Sequence, residues 1–293
     1  MSILIFGSSG QLAKSLHDSQ PTSERPVFLN RDDCDLADSE QVIAQLETHK
    51  PALIINAAAY TQVDNAEEER ALAHRVNSEA VETMARYART DHARLIHVST
   101  DFVFDGDKDA PYQPGDSTRP LGEYGASKLA GEVAALKAAP ESTMIIRTSW
   151  LYSEHGRNFV NTMLRLMADR DELGVVDDQR GSPTYARGLA AVIWQIINND
   201  LFAPGIYHWT DQGNITWHDF AVAIQEEALK IGLLDSAIPI KAITTEAYPT
   251  PASRPANSVL DNKKLAKLLG SEPTPWRENL ELMLSLLTAS RSS

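Results

Sequence analysis

The chain has 293 residues, 43% hydrophobic and 23% charged, the composition of a soluble globular protein with room for one large α/β domain or two smaller lobes. A formal charge of -13 excludes the dense Lys and Arg surface that nucleic acid or an anionic membrane rewards. No stretch reaches the roughly 18 apolar residues of a membrane span, and the start "MSILIFGSSG" lacks the basic n-region of a secretion signal.

The single cysteine, Cys34, has no partner for a disulfide or a CxxC motif, so a cytoplasmic protein is expected. Its neighbours Asp32, Asp33 and Asp35 would raise a thiol rather than activate it, and a passive cysteine follows. Disorder is expected only in the Ser-rich tail.

In chain order, short apolar runs alternate with helix-compatible stretches over residues 1–150. The runs are "SILIF" (2–6), "VFL" (27–29), "ALIINAAA" (52–59), "RLIHVS" (94–99) and "TMIIRTS" (143–149). Being nearly continuous, they predict strands of a parallel sheet buried on both faces. The helices are expected at 11–19, at 39–49 with Ser39 as N-cap, at 67–90 with Glu67, Glu68 and Glu69 suiting the helix dipole, and at 127–138. This pattern predicts an α/β protein with a Rossmann-like doubly wound parallel sheet in residues 1–150.

Beyond residue 150 the alternation fails. Helices are expected near 157–170, 186–198, 217–231 and 262–269, with strand-like pieces "LGVVDD" and "GIYHWT" between them. A smaller α+β substrate-binding lobe over 151–293 is the expectation, with the chain returning to the main sheet. The final "TPWRENLELMLSLL" has Thr274 as N-cap and Pro275 at the first helical position, and sets Trp276, Leu280, Met283, Leu284 and Leu287 on one face for core packing.

Two constellations carry chemistry. "FGSSGQLA" places Gly7, Gly10 and Ala13 at three-residue intervals between the first strand and the first helix. Small residues here let the backbone approach a pyrophosphate at the helix start. The second strand ends at Asn30 and Arg31, where an arginine accommodates a 2′-phosphate. NADPH is therefore favoured slightly over NADH, with Asp32 and Asp33 opposing.

Further on, Tyr124 and Lys128 lie one turn apart on a predicted helix, and an ammonium there would lower the phenol for proton exchange with a carbonyl or alcohol. Thr100, with Ser99 as the alternative, sits at the preceding strand end to hold the same oxygen. The spacing is unspecific; the placement at a strand's carboxyl end, where doubly wound folds bind ligands, carries the reading.

The segments "GSSGQLA", "INAAAYTQVDNAEEE", "STDFVFDG", "YGASKLAGE", "RTSWLY", "DDQRGSPT" and "RPANSVLD" resemble the extended short-chain dehydrogenase/reductases over nearly the whole chain. Within them, the last three are most similar to the dTDP-4-dehydrorhamnose reductase branch. The resemblance implies nicotinamide-dependent reduction of dTDP-4-dehydro-L-rhamnose to dTDP-L-rhamnose. It implies Tyr124 as proton donor, Lys128 as the group that lowers its pKa and holds the nicotinamide ribose, and Thr100 on the substrate oxygen.

By the same resemblance Gly10, Gln11 and Leu12 line the pyrophosphate, Asp35 and Leu36 the adenine, and Ala58, Ala59 and Tyr60 the rest of the cofactor. Thr100, Asp101, Trp150 and Asn158 are carried to the sugar nucleotide, while Arg254, a lone arginine in a Pro-rich loop, suits a diphosphate or the sugar and is equally readable as a surface charge. Some family members bridge subunits through magnesium held by glutamates; Ser15 and Arg187 stand at those positions, so no metal and a monomer are expected. Related dehydratases carry a glutamate where this chain has Phe102, and epimerase-reductases need a Cys and His pair in the second half, which holds no cysteine. The alternatives left are another nucleotide-sugar 4-ketoreductase and a non-catalytic nucleotide-binding subunit. His208 and His218, without metal spacing, are expected to pack or hydrogen-bond.

Overall fold

A computed structural model describes residues 1–291; the end of the Ser-rich tail lies outside the described residues. The first half runs β1 (Ile3–Phe6), α1 (Gln11–Asp18), β2 (Val27–Leu29), α2 (Ser39–His49), β3 (Leu53–Asn56), α3 (Arg70–His74), α4 (Ala80–Thr90), β4 (Arg94–Thr100), α5 (Glu123–Ala138) and β5 (Thr143–Thr148). The second half runs β6 (Leu151–Tyr152), α6 (Phe159–Asp169), β7 (Leu173–Val176), β8 (Arg180–Gly181), β9 (Thr184–Tyr185), α7 (Ala186–Asn198), β10 (Gly205–His208), β11 (Ile215–Thr216), α8 (Trp217–Lys230), β12 (Ile240–Ile243), α9 (Lys263–Leu269) and α10 (Trp276–Arg291).

Six strands form the main sheet in the order β10-β5-β4-β3-β1-β2, every pair parallel. Such a sheet needs apolar residues on both faces, which is why its inner strands read as unbroken runs. One face packs on α1, α7 and α9 through Leu12, Leu16, Ile193 and Leu265. The other packs on α2, α4 and α5 through Val42, Leu46, Met84 and Ala135. β2 is the exception, an edge strand with Val27 exposed. β10, from the second half of the chain, closes the opposite edge against β5.

Boundaries moved where local chemistry outweighed pattern. Asp38, not Ser39, caps α2, its carboxylate accepting the N–H groups of Glu40 and Gln41. The expected helix over 67–90 starts at Arg70 and contains a wide turn over Arg75–Glu79. There Asn77 reaches out to the backbone of Tyr60 and the hydroxyl of Ser127. Two of the three glutamates before α3 serve other partners: Glu67 accepts the Glu123 N–H at the start of α5, and Glu69 accepts the Tyr60 hydroxyl at 2.6 Å.

A third core joins α6, α8 and α10, with Leu280, Met283 and Leu284 buried in it as the apolar stripe predicts. Pro275 rather than Thr274 stands at the cap of α10, its carbonyl accepting the Asn279 N–H at 3.3 Å. His208 donates from Nδ1 to the Tyr112 carbonyl, and His218 from Nε2 to the Ile240 carbonyl.

Candidate active site

A cleft of about 930 Å³ runs along the carboxyl ends of β1, β3, β4 and β5. At its floor Gly7 adopts φ +98°, and a Cβ there would lie 2.8 Å from the Ala58 backbone, so the turn leaving β1 demands glycine. The N-cap of α1, Gly10, offers no side chain to the first helical N–H groups, and the first turn holds no acidic residue. An uncapped helix start opening on a cleft fits an anionic group. Gln11 lines the cleft, but its side chain is committed elsewhere. Its Oε1 accepts from Ser153 Oγ at 3.0 Å and from Asn158 Nδ2 at 2.9 Å.

Leu12, Asn30, Arg31, Asp35, Leu36, Ala58, Ala59 and Tyr60 also line this cleft. Asn30 Oδ1 accepts the N–H groups of Asp32 and Asp33, folding the loop after β2. Arg31 is mostly exposed at the rim, 3.4 Å from Asp35, a pairing that water screens. Burial first, then Asp35, Asp38 and Asp33, push the Cys34 thiol up to about 11, so it stays protonated and inert.

The reacting end is built where β4 stops. Thr100 donates to Asp101 Oδ1 at 3.1 Å and accepts the Phe102 N–H at 3.2 Å. Gly125 lets α5 sit against this turn, since a Cβ there would lie 2.2 Å from the Phe102 carbonyl oxygen. That approach brings Tyr124 edge-on to Phe102, centroids 5.6 Å apart, with the Thr100 hydroxyl near enough to act on its phenol. Burial pushes the Tyr124 phenol up to about 12, Asp101 adding to the rise and Thr100 opposing it. Asp101 is itself lifted to about 6 by burial, and its Oδ2 and the Ser99 hydroxyl are buried without a hydrogen-bond partner.

Lys128 Nζ donates to the Val98 carbonyl at 2.8 Å and lies 3.4 Å from His97 Nε2. Burial lowers Lys128 to about 8, with Glu132 opposing.

From the second half, Trp150 forms the far wall. It has φ +47°, an unusual backbone for a bulky side chain, and stacks on Trp217 with centroids 3.5 Å apart. Two expected substrate residues are diverted. Asn158 caps α6 through the Asn161 N–H and donates to Gln11, while its neighbour Arg157 reaches the cleft. Arg254 forms a two-pronged pair with Asp64, both contacts 2.9 Å, because that carboxylate matches its planar fork.

Thr61, Gln62, Val63, Thr148 and Ser149 line the cleft and escaped sequence reading. Thr148 closes β5 and Ser149 follows it, while Thr61, Gln62 and Val63 lie in the loop after β3, on the ligand side of the sheet. Elsewhere Asp177, His218 and Asp219 bring ligand-type atoms within 4.8 Å of one another. Asp219 is spent on capping Thr216, and Asp177 accepts the Thr216 hydroxyl.

The family model described as "RmlD substrate binding domain" matches residues 1–289. A dTDP-4-dehydrorhamnose reductase of Aggregatibacter actinomycetemcomitans is 43% identical over 285 residues, covering 95% of this chain and 97% of the relative. The chain belongs to the dTDP-4-dehydrorhamnose reductase family. Among solved structures, the reductase of Clostridium acetobutylicum superposes with a TM-score of 0.91 at 35% identity, covering 98% and 100% of the two chains. A second, the dTDP-4-dehydrorhamnose reductase of Bacillus anthracis in complex with NADP, has a TM-score of 0.89 at 34% identity, covering 97% and 99%. In this reductase fold, Thr100, Tyr124 and Lys128 sit at the junction of β4 and α5, facing the Gly7 turn across one cleft. No helix among the described residues is long and apolar enough to cross a membrane.

Proposed function

We propose that the protein reduces the 4-keto group of dTDP-4-dehydro-L-rhamnose to give dTDP-L-rhamnose, using a nicotinamide cofactor. The observation that carries this reading is one cleft holding an uncapped helix start at Gly10 and two hydroxyl groups, Thr100 and Tyr124, at the junction of β4 and α5. The open helix start and the glycine turn fit a dinucleotide, and the reduced nicotinamide supplies the hydride when bound.

The chain's own residues handle the proton and the oxygen. A phenol held up to about 12 stays protonated at neutral pH, the form a reduction requires of its donor. Tyr124 then delivers its proton to the sugar oxygen while Thr100 fixes that oxygen by hydrogen bonding. Lys128 stands behind the pair as the charge reservoir and as the donor to the nicotinamide ribose. Trp150 and Arg157 close the sugar-nucleotide side. Asn158 and Arg254 support the cleft through Gln11 and Asp64 instead of touching substrate.

Arg31 at the rim favours NADPH. Arg31→Ala should raise KM for NADPH about tenfold, the worth of one charge-assisted phosphate contact, and leave KM for NADH nearly unchanged. Steady-state kinetics with both cofactors reads this; equal effects on the two would remove Arg31 from the phosphate site. We also propose a monomer without bridging metal, since Ser15 is buried within α1 and Arg187 faces Glu154 at 3.7 Å. Sedimentation with and without magnesium distinguishes the two assemblies.

The activity test is direct. Purified protein should oxidise NADPH only on addition of dTDP-4-dehydro-L-rhamnose, with the product configuration read by NMR. Tight cofactor binding without turnover would replace the enzyme reading by that of a nucleotide-binding subunit.

A further inference from the structure

We propose that His97 is a positioning residue for Lys128: with its tautomer set by Asn56, it presents an Nε2–H to Nζ and favours the neutral amine at that contact. This rests on the assignment of Tyr124 and Lys128 as the proton-delivering pair. Asn56, His97 and Lys128 are all essentially excluded from solvent. The chain of donors can therefore be followed group by group.

The Ala58 N–H donates to Asn56 Oδ1 at 3.1 Å. A backbone N–H can only donate, so the amide orientation is fixed, and Nδ2 is the atom 3.2 Å from His97 Nδ1. A donor on that side makes Nδ1 the acceptor and puts the single ring proton on Nε2. Nε2 lies 3.4 Å from Lys128 Nζ. A neutral amine accepts this N–H through its lone pair. An ammonium has only N–H groups to offer and meets donor with donor. Charging the imidazole does not relieve the conflict, because burial and the neighbouring Lys128 hold His97 far below its ordinary value.

The other groups around Nζ act in the opposite sense or not at all. Glu132, one turn further along α5, favours the ammonium and is itself clamped by Arg147 from β5. The Val98 carbonyl on β4 accepts from either form. Tyr124 lies one turn earlier on the same helix, and the charge of Asp101 acts on Tyr124. His97 is thus the polar partner that opposes the charge, alongside burial, which brings Lys128 to about 8.

The sign of the pH effect follows. Lys128 is a base held below its ordinary value, so its charge, and any step that needs it, is lost as pH rises through about 8. Asn56→Asp offers a carboxylate to Nδ1, moves the ring proton there and turns the Nε2 lone pair toward Nζ. The Lys128 titration should then move upward by at least about half a pH unit, which leaves about threefold more of the charged form on the alkaline side.

Two measurements on the full-length protein test this. Imidazole ¹⁵N NMR of the unsubstituted protein should show His97 neutral with its proton on Nε2 between about pH 6 and 9; an Nδ1–H form or an imidazolium in that range overturns the proposal. Side-chain ¹³C NMR of Lys128 and the alkaline limb of kcat, compared between the unsubstituted protein and Asn56→Asp, should both move upward. A lowered kcat with an unmoved lysine titration marks a merely structural role and overturns the proposal too. Both NMR readouts are independent of turnover, so failure of the enzyme assignment is told apart from failure of this one.

Discussion

Replacing Tyr124 with phenylalanine is expected to lower kcat about 10²- to 10⁴-fold, the worth of a positioned proton donor, and to leave cofactor affinity nearly unchanged. The ring keeps its edge-on contact with Phe102, so the substitution removes a proton and little packing. Single-turnover oxidation of NADPH separates the chemical step from binding, and a fluorescence titration reports the cofactor. Turnover within a few-fold of the unsubstituted protein would strip Tyr124 of its role. A loss of cofactor binding equal to the loss of rate would mark a structural residue instead.

The second large effect concerns stability. Arg147 and Glu132 face each other with side chains about 2% exposed, joined by contacts of 2.9 Å at Nε and 2.6 Å at Nη2. Arg147→Met should cost about 3–5 kcal/mol, because it strands a carboxylate in the core. The guanidinium also lies 5.0 Å over the Phe104 ring, a contact the methionine replaces only in part. Adding Glu132→Gln should recover much of the loss, since the pair's net worth is small against a well-packed neutral pair. Urea unfolding reads both variants; a single variant with an unchanged midpoint would mean that the carboxylate finds water or a proton without cost.

Legibility in the sequence followed the range of the forces involved. The inner strands β1, β3, β4 and β5 are short apolar runs, because burial on both faces leaves no polar alternation to read. The same property hid Asn56 and His97, which sit inside such runs and look like ordinary strand positions until the tertiary contacts join them. Thr100 closes β4, Tyr124 opens α5 and Lys128 follows one turn later, so their shared place at the ligand face of a parallel sheet could be read from the order of elements. The pairings of Arg254 with Asp64 and of Asn158 with Gln11 span 190 and 147 residues, so no local pattern announces them. The wide turn at Arg75–Glu79 depends on Asn77 reaching Tyr60 and Ser127, and no local pattern announces it.

The return of the chain to the sheet at Gly205–His208 has a consequence for biogenesis. β5 leaves the ribosome more than fifty residues ahead of the strand that pairs with its outer edge. Until then a run of buried residues, Thr143–Thr148, presents unpaired N–H and C=O groups to any passing strand. The nascent nucleotide half is therefore a sticky intermediate whose sheet closes late. Slowing synthesis between residues 150 and 208 should raise aggregation of the nascent chain more than slowing it elsewhere.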